Sequence, residues 1–254
     1  MEFKELTGVS PEILRAVEAM GFTQMTEVQE KAIPVMMAGR EIIAKAPTGT
    51  GKTCAFGIPL VERARPQDAW IQAVVLCPTR ELCTQIVDEL RSLARFKEGV
   101  RVAAIYGGQP MKPQIEALKK NPQIVVATPG RMLDHMKHRT IRVDKAETVV
   151  LDEADEMLDM GFFKDVRRIL DSLRAKKQMV MFSATISREV MDIGWLYQRD
   201  AEEITVRPVE ESRPKITQYC CRTTGRKKFE DLLAVLRREE LGRVLIFCNT
   251  KSTT

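Results

Sequence analysis

The chain has 254 residues, 44% of them hydrophobic and 30% charged, which is enough apolar material for one full core and too polar and well mixed for a fibrous or disordered protein. No apolar run approaches the roughly 18 residues of a membrane helix, and Met1-Glu2-Phe3-Lys4-Glu5 lacks the basic and apolar regions of a signal peptide, so a soluble, cytoplasmic protein without membrane contact is expected. The net charge of +5 sits at one end: residues 207–254 hold 11 Lys and Arg against 6 Asp and Glu, leaving 29 of each sign before Arg207, so charge alone argues for no polyanion partner.

In chain order, Ser10 is placed to cap a first helix, Pro11 suits its first turn, Leu14 and Val17 form its apolar stripe and Gly21 ends it. Strands are expected at Ile42–Ala44, Ala73–Leu76, Val102–Ile105, Ile124–Ala127, Thr148–Leu151, Met179–Phe182 and Glu203–Val206. Most are apolar on both faces, as central strands are, and between them lie segments of helical period such as Leu82, Ile86, Leu90 and Leu93. The alternation predicts an α/β fold with a mainly parallel, doubly wound sheet, whose ligands sit beyond the carboxyl ends of the strands. Prolines and charges from Arg207 to Pro214 mark a break. Beyond it Ile216–Cys220 and Val244–Cys248 read as strands and Lys228–Arg238 as a helix. The six cysteines form no C-x-x-C pair and only two histidines accompany them, so reduced, mostly buried thiols are expected rather than a zinc site.

The segment after the first strand is Ala46-Pro47-Thr48-Gly49-Thr50-Gly51-Lys52-Thr53. It is a phosphate-binding loop: glycines let backbone N–H groups close around phosphate oxygens, Lys52 neutralises their charge and the Thr53 hydroxyl ligates Mg²⁺. Ala46 departs from the usual first glycine. Lys52 is expected exposed on the loop, meeting its charge partner only in the ligand. Asp152-Glu153-Ala154-Asp155 directly follows the strand 148–151. An acid there holds Mg²⁺ through water, and Glu153 orients and deprotonates an attacking water. The plainer alternative is a set of acids opening a helix at its positive end.

A phosphate loop followed by Asp-Glu-Ala-Asp at 152–155 resembles the DEAD-box ATP-dependent RNA helicases, and the resemblance runs from Phe3 to about Thr250. It implies a RecA-like nucleotide-binding domain over residues 1–206 and the truncated start of a second over 207–254, with ATP and Mg²⁺ as cofactors and RNA as partner. It implies catalysis by Lys52, Thr53, Asp152, Glu153 and Asp155. Phe3, Gly21-Phe22 and Thr26-Glu27-Val28-Gln29 look like its adenine-recognition region, in which Gln29 reads the base and an aromatic ring packs on it; Met25 stands where proline is usual. Pro78-Thr79-Arg80, Gly107-Gly108 and Thr128-Pro129-Gly130-Arg131 fall to the RNA sugar–phosphate backbone. Thr79 and Thr128 are placed as helix caps that leave N–H groups for phosphates, contacts that position a strand without reading its bases. Ser183-Ala184-Thr185 matches the motif that links hydrolysis to strand separation, its hydroxyls able to bond acids such as Asp155. Leu245–Thr250 resembles the first motif of the second domain. That domain's arginine motifs would lie beyond Thr254, so this chain is expected to bind nucleotide without unwinding. The rival readings are a non-hydrolysing RNA- or ATP-binding module and a DNA helicase. His135, His138 and the methionines call for no special role, and Lys227-Lys228 and Arg237-Arg238 read as solvated helix charges.

Overall fold

Short runs rich in Val, Ile and Leu cannot leave both faces in water, and each finds a place in one sheet. The strands are β1 (Ile42–Lys45), β2 (Ala73–Leu76), β3 (Val102–Ile105), β4 (Ile124–Ala127), β5 (Thr148–Leu151), β6 (Gln178–Ser183) and β7 (Glu202–Thr205), each within a residue of the expected bounds. They pair in parallel in the order β3-β4-β2-β5-β6-β1-β7, and the register sets Val75 opposite both Val126 and Val150. The computed structural model describes residues 1–207, 217, 219–225, 227–238 and 242–247. The chain divides into two units, Met1–Pro208 and Val209–Thr254.

Side chains alternate along each strand, so two apolar layers result. Val75, Val150, Val180 and Phe182 face one core, which is covered by α1 (Pro11–Ala19), α2 (Glu27–Met37), α3 (Lys52–Arg63) and α4 (Arg80–Leu93). Val74, Leu76, Val149, Met179 and Met181 face the other, under α5 (Met111–Leu118), α6 (Pro129–Lys137), α7 (Ala154–Asp159), α8 (Phe163–Ser172) and α9 (Arg188–Tyr197). Each fully buried Val, Leu or Ile contributes about 1.5–3 kcal/mol. Because every pairing is parallel, the loops at the carboxyl ends of the strands all open on one edge of the sheet, which is where the motif residues gather. Among the described residues no helix is long and apolar enough to cross a membrane.

Three expectations need correction. Ser10 precedes α1 but does not cap it; its N–H and hydroxyl both donate to the Glu62 carboxylate at 2.9 and 2.7 Å, charge-assisted bonds that set the rotamer of the side chain. In the second unit α10 (Lys228–Arg238) forms as expected, but Val244–Phe247 is no strand, because no described neighbour supplies a ladder. Thr217, Tyr219 and Cys220 are likewise in no strand, while Ile216, Gln218 and Cys248–Thr250 lie outside the described residues. Cys54, Cys77 and Cys83 are buried, free thiols, whereas Cys220 and Cys221 are exposed.

Candidate nucleotide and nucleic-acid site

The phosphate loop leaves β1 with its first amide still in the sheet, Ala46 N–H donating to the Ser183 carbonyl at 2.9 Å. Ala46 is buried in the core below, so its methyl fills packing space that a glycine would leave empty. Gly51 adopts φ +87, and a Cβ there would stand 2.4 Å from Gln29 Nε2; only glycine meets both demands. The Thr50 hydroxyl closes the turn on the Pro47 carbonyl at 2.7 Å, and α3 begins at once with Lys52.

Lys52 is not the exposed residue expected. It is 6% exposed, Asp152 is 2% exposed, and Nζ lies 3.7 Å from Asp152 Oδ1, a distance without a hydrogen bond, so the ammonium has none. The core beneath α3 encloses its stem, and the charge partner is already present. Burial pushes the Asp152 carboxyl up to about 6, against the pull of the Lys52 ammonium. One buried carboxylate and the Thr53 hydroxyl are too few donors to hold a metal alone, and no group of three or more His, Cys, Asp and Glu that could hold one occurs among the described residues. Such a set fits Mg²⁺, which keeps waters and takes its other ligands from phosphates.

Glu153 sits at φ 52, ψ 52 before α7 and makes no side-chain cap, while Asp155 and Glu156 stand in the first turn of that helix, where its positive end favours them. This left-handed turn costs about 1–2 kcal/mol for a side chain with a Cβ. It aims the carboxylate at the phosphate loop, where Oε1 accepts from the Thr48 hydroxyl at 3.4 Å. Asp155 is committed elsewhere: Oδ2 accepts from Thr185 N–H and Oγ1 at 2.8 and 2.9 Å, and its own N–H donates to Ser183 Oγ. Burial alone would lift the Asp155 carboxyl, but bonds from Ser183 and Thr185 outweigh it and hold it below its ordinary value. The loops after β5 and β6 are thereby stitched together, as the hydroxyls of Ser183-Ala184-Thr185 suggested.

At the base end, Gln29 is buried and its amide is engaged twice, Oε1 accepting from Thr26 N–H at 2.9 Å and Nε2 donating to the Gly51 carbonyl at 3.1 Å. Phe3 lies in the core, whereas Phe22 is 44% exposed. Met25 is buried too, and its N–H donates to the Met1 carbonyl, so packing and a backbone bond constrain the turn where a proline ring would.

The remaining motifs follow β2, β3 and β4, which are neighbours in the sheet. Thr79 caps α4 through Leu82 N–H at 3.2 Å. Thr128 makes no such bond; its amide is held by the Ile105 carbonyl and Pro129 starts α6 without an N–H to offer. The Arg80 guanidinium lies 5.2 Å from the Tyr106 ring centroid and 3.7 Å from the place of a Cβ on Gly108, itself at φ +77. Arg131 Nη1 donates to the Gln109 carbonyl at 2.9 Å. Arg80, Gly107-Gly108 and Arg131 thus share one patch, separated by β5 and β6 from the phosphate loop.

The DEAD/DEAH box helicase family matches this chain over residues 26–193. The chain belongs to the DEAD/DEAH box helicases. It is 43% identical over 249 residues to the DEAD-box ATP-dependent RNA helicase CshA of Geobacillus kaustophilus, covering 98% of this chain and 53% of that protein. It is 42% identical over 243 residues to CshA of Bacillus subtilis, covering 96% and 49%. A solved DEAD box protein from Methanococcus jannaschii superposes with TM-score 0.78 at 40% identity, over all of this chain and 68% of that one. The first unit is accordingly a RecA-like α/β domain, and the chain spans about half the length of the curated relatives it matches.

Two polar residues of this helicase chain are not singled out by its sequence. Gln114 of α5 and His135 of α6 are buried. Gln114 Nε2 donates to the Tyr106 carbonyl at 2.9 Å, Oε1 faces His135 Nε2 at 3.2 Å, and His135 Nδ1 lies 2.8 Å from Thr140 Oγ1. The available signal was positional: Gln114 takes the place of an apolar residue on the inward stripe with Leu118. Burial, then the charge of Arg131, lower the His135 pKa. The unfolded chain therefore takes up a proton near pH 6.5 that the folded chain still refuses, so stability present above that pH is lost as pH falls below it. Denaturant unfolding at pH 7.5 and 5.5 is expected to show a larger acid loss in the wild type than in His135→Gln; equal losses would remove His135 from this role.

Proposed function

We propose that the first unit binds Mg·ATP at the loop 46–53 and RNA backbone at the patch after β2, β3 and β4, and that the longer protein uses hydrolysis to separate or remodel short RNA duplexes. The observation that carries this reading is the buried Lys52 ammonium, which faces Asp152 at 3.7 Å yet has no hydrogen bond; phosphate oxygens would complete it. Backbone N–H groups of Gly49 to Thr53 bind the phosphates, and Gln29 and the exposed Phe22 ring receive adenine, Phe3 being taken up by the core. Thr53 and, through water, Asp152 hold Mg²⁺, which when bound neutralises charge on the phosphate oxygens. Glu153 accepts the proton of the attacking water, while Asp155, tied to Ser183 and Thr185, holds that loop in place. The unit 209–254 is the start of a second domain in this reading, and a cytoplasmic location belongs to it.

The proposed RNA contacts are helix starts, the glycine backbone of 107–108, Arg80 and Arg131. None reads a base edge, so affinity for unrelated single strands should agree within a few-fold and should fall with salt, each arginine adding about 0.7 to the logarithmic slope. A strong preference for one sequence with little salt dependence would sink the backbone reading. The function is tested by steady-state ATPase assays with RNA, with DNA and with neither, on this chain and on a protein that also carries the second domain. Stimulation by RNA in the longer protein alone is expected. Stimulation by DNA but not RNA would favour a DNA helicase, and absence of hydrolysis in both would favour a binding module.

A further inference from the structure

The loop from Tyr106 to Pro110 is held at two carbonyls. Arg131 holds Gln109 from the solvent side, but this arginine is itself a proposed phosphate ligand and would turn to the RNA. The other hold is internal: Gln114, 5% exposed, donates to the Tyr106 carbonyl at 2.9 Å. With Nε2 so committed, Oε1 faces His135 Nε2, which must carry the proton that joins them at 3.2 Å. His135 is fixed in turn by Thr140, whose hydroxyl donates to the proton-free Nδ1 at 2.8 Å. The chain of bonds runs from the C-terminal end of α6 through α5 to the first residue of the loop.

What hangs on that carbonyl is the backbone beyond it. A Cβ at Gly107 would meet nothing within 4 Å, so no packed neighbour steadies the backbone on that side and the direction of its N–H follows the peptides at the ends of the loop. A hydrogen bond weakens steeply as its angle falls toward about 120°, so a modest rotation of the Tyr106 peptide misdirects that N–H. The same residue carries the ring beneath Arg80, so its placement also sets that guanidinium. We propose that Gln114, held by His135, is the positioning residue of the RNA patch, fixing the glycine loop and Arg80 without touching RNA. This rests on the RNA-binding reading above.

The test is fluorescence anisotropy of this chain with a labelled ten-nucleotide uridine strand at several salt concentrations, beside calorimetry with Mg·ADP. Gln114→Met keeps the volume and removes the donor, and Gln114→Glu keeps an acceptor toward His135 but cannot, as a carboxylate, donate to Tyr106. Both should raise the RNA Kd roughly tenfold, the scale of one lost buried hydrogen bond, leave the Mg·ADP Kd within about twofold, and leave the salt slope unchanged because no cation is lost. Arg131→Ala should instead reduce the slope. His135→Gln, which retains an N–H donor, should keep more RNA affinity than His135→Leu. The proposal is overturned if Gln114→Met binds RNA as the wild type does, or if its RNA and nucleotide affinities fall together, as a merely loosened fold would give. A wild-type chain that binds no RNA overturns both this and the reading on which it rests.

Discussion

Glu153→Gln is expected to lower ATP hydrolysis by about two to four powers of ten in a protein that carries both domains, with the Mg·ATP Kd unchanged within about twofold. The magnitude is that of a lost general base. Glu153 is held in a left-handed turn that no helix cap explains, and its carboxylate reaches toward the phosphate loop to meet Thr48. The amide has the same shape and still accepts from that hydroxyl, so the loop should keep its form, but it takes no proton from water. Single-turnover hydrolysis beside equilibrium binding separates the two effects. An unchanged turnover rate would remove Glu153 from the base role.

Lys52→Ala should show two losses at once. Mg·ATP affinity should fall by about 10–100-fold, the range for charge-assisted hydrogen bonds to phosphate. The nucleotide-free fold should also weaken, because Asp152 would be left buried without its cation. Breaking a buried pair costs about 3–5 kcal/mol, and the 3.7 Å separation places this one at the low end of that range. Adding Asp152→Asn removes the stranded charge and should restore most of the stability without restoring nucleotide affinity. Urea unfolding and calorimetry on the three proteins decide it; undiminished ATP affinity in Lys52→Ala would refute the phosphate-binding assignment of the loop.

The sheet was legible because its strands need cover on both faces, and runs such as Ile124–Ala127 leave no polar side for solvent. The phosphate loop was legible for a backbone reason, since positions such as Gly51 accept only glycine. Contacts between distant segments were not. The burial of Lys52 depends on β5 lying two strands from β1, which no local pattern encodes, and Gln114 inside an otherwise ordinary helix reads as a solvated amide until α6 is laid beside it. Thr128 has the residue type and the following proline of a cap, yet its hydroxyl accepts no first-turn N–H. Val244–Phe247 has the composition of a strand, and composition does not supply the neighbour that a strand requires.

The order β3-β4-β2-β5-β6-β1-β7 also fixes how the two halves of the edge can communicate. Adjacent strands lie about 4.8 Å apart, so three to five strand spacings put roughly 14–24 Å between the phosphate loop on β1 and the loops after β2, β4 and β3. Mobile ions screen exposed charges over about 8 Å at physiological ionic strength. An added phosphate on one side is therefore nearly invisible, as a charge, to the arginines on the other. In the proposed reading, whatever nucleotide and RNA tell each other must travel as displacement, through the stitched loops of β5 and β6 or through a body that touches both, and that coupling should survive salt concentrations that weaken the proposed RNA binding.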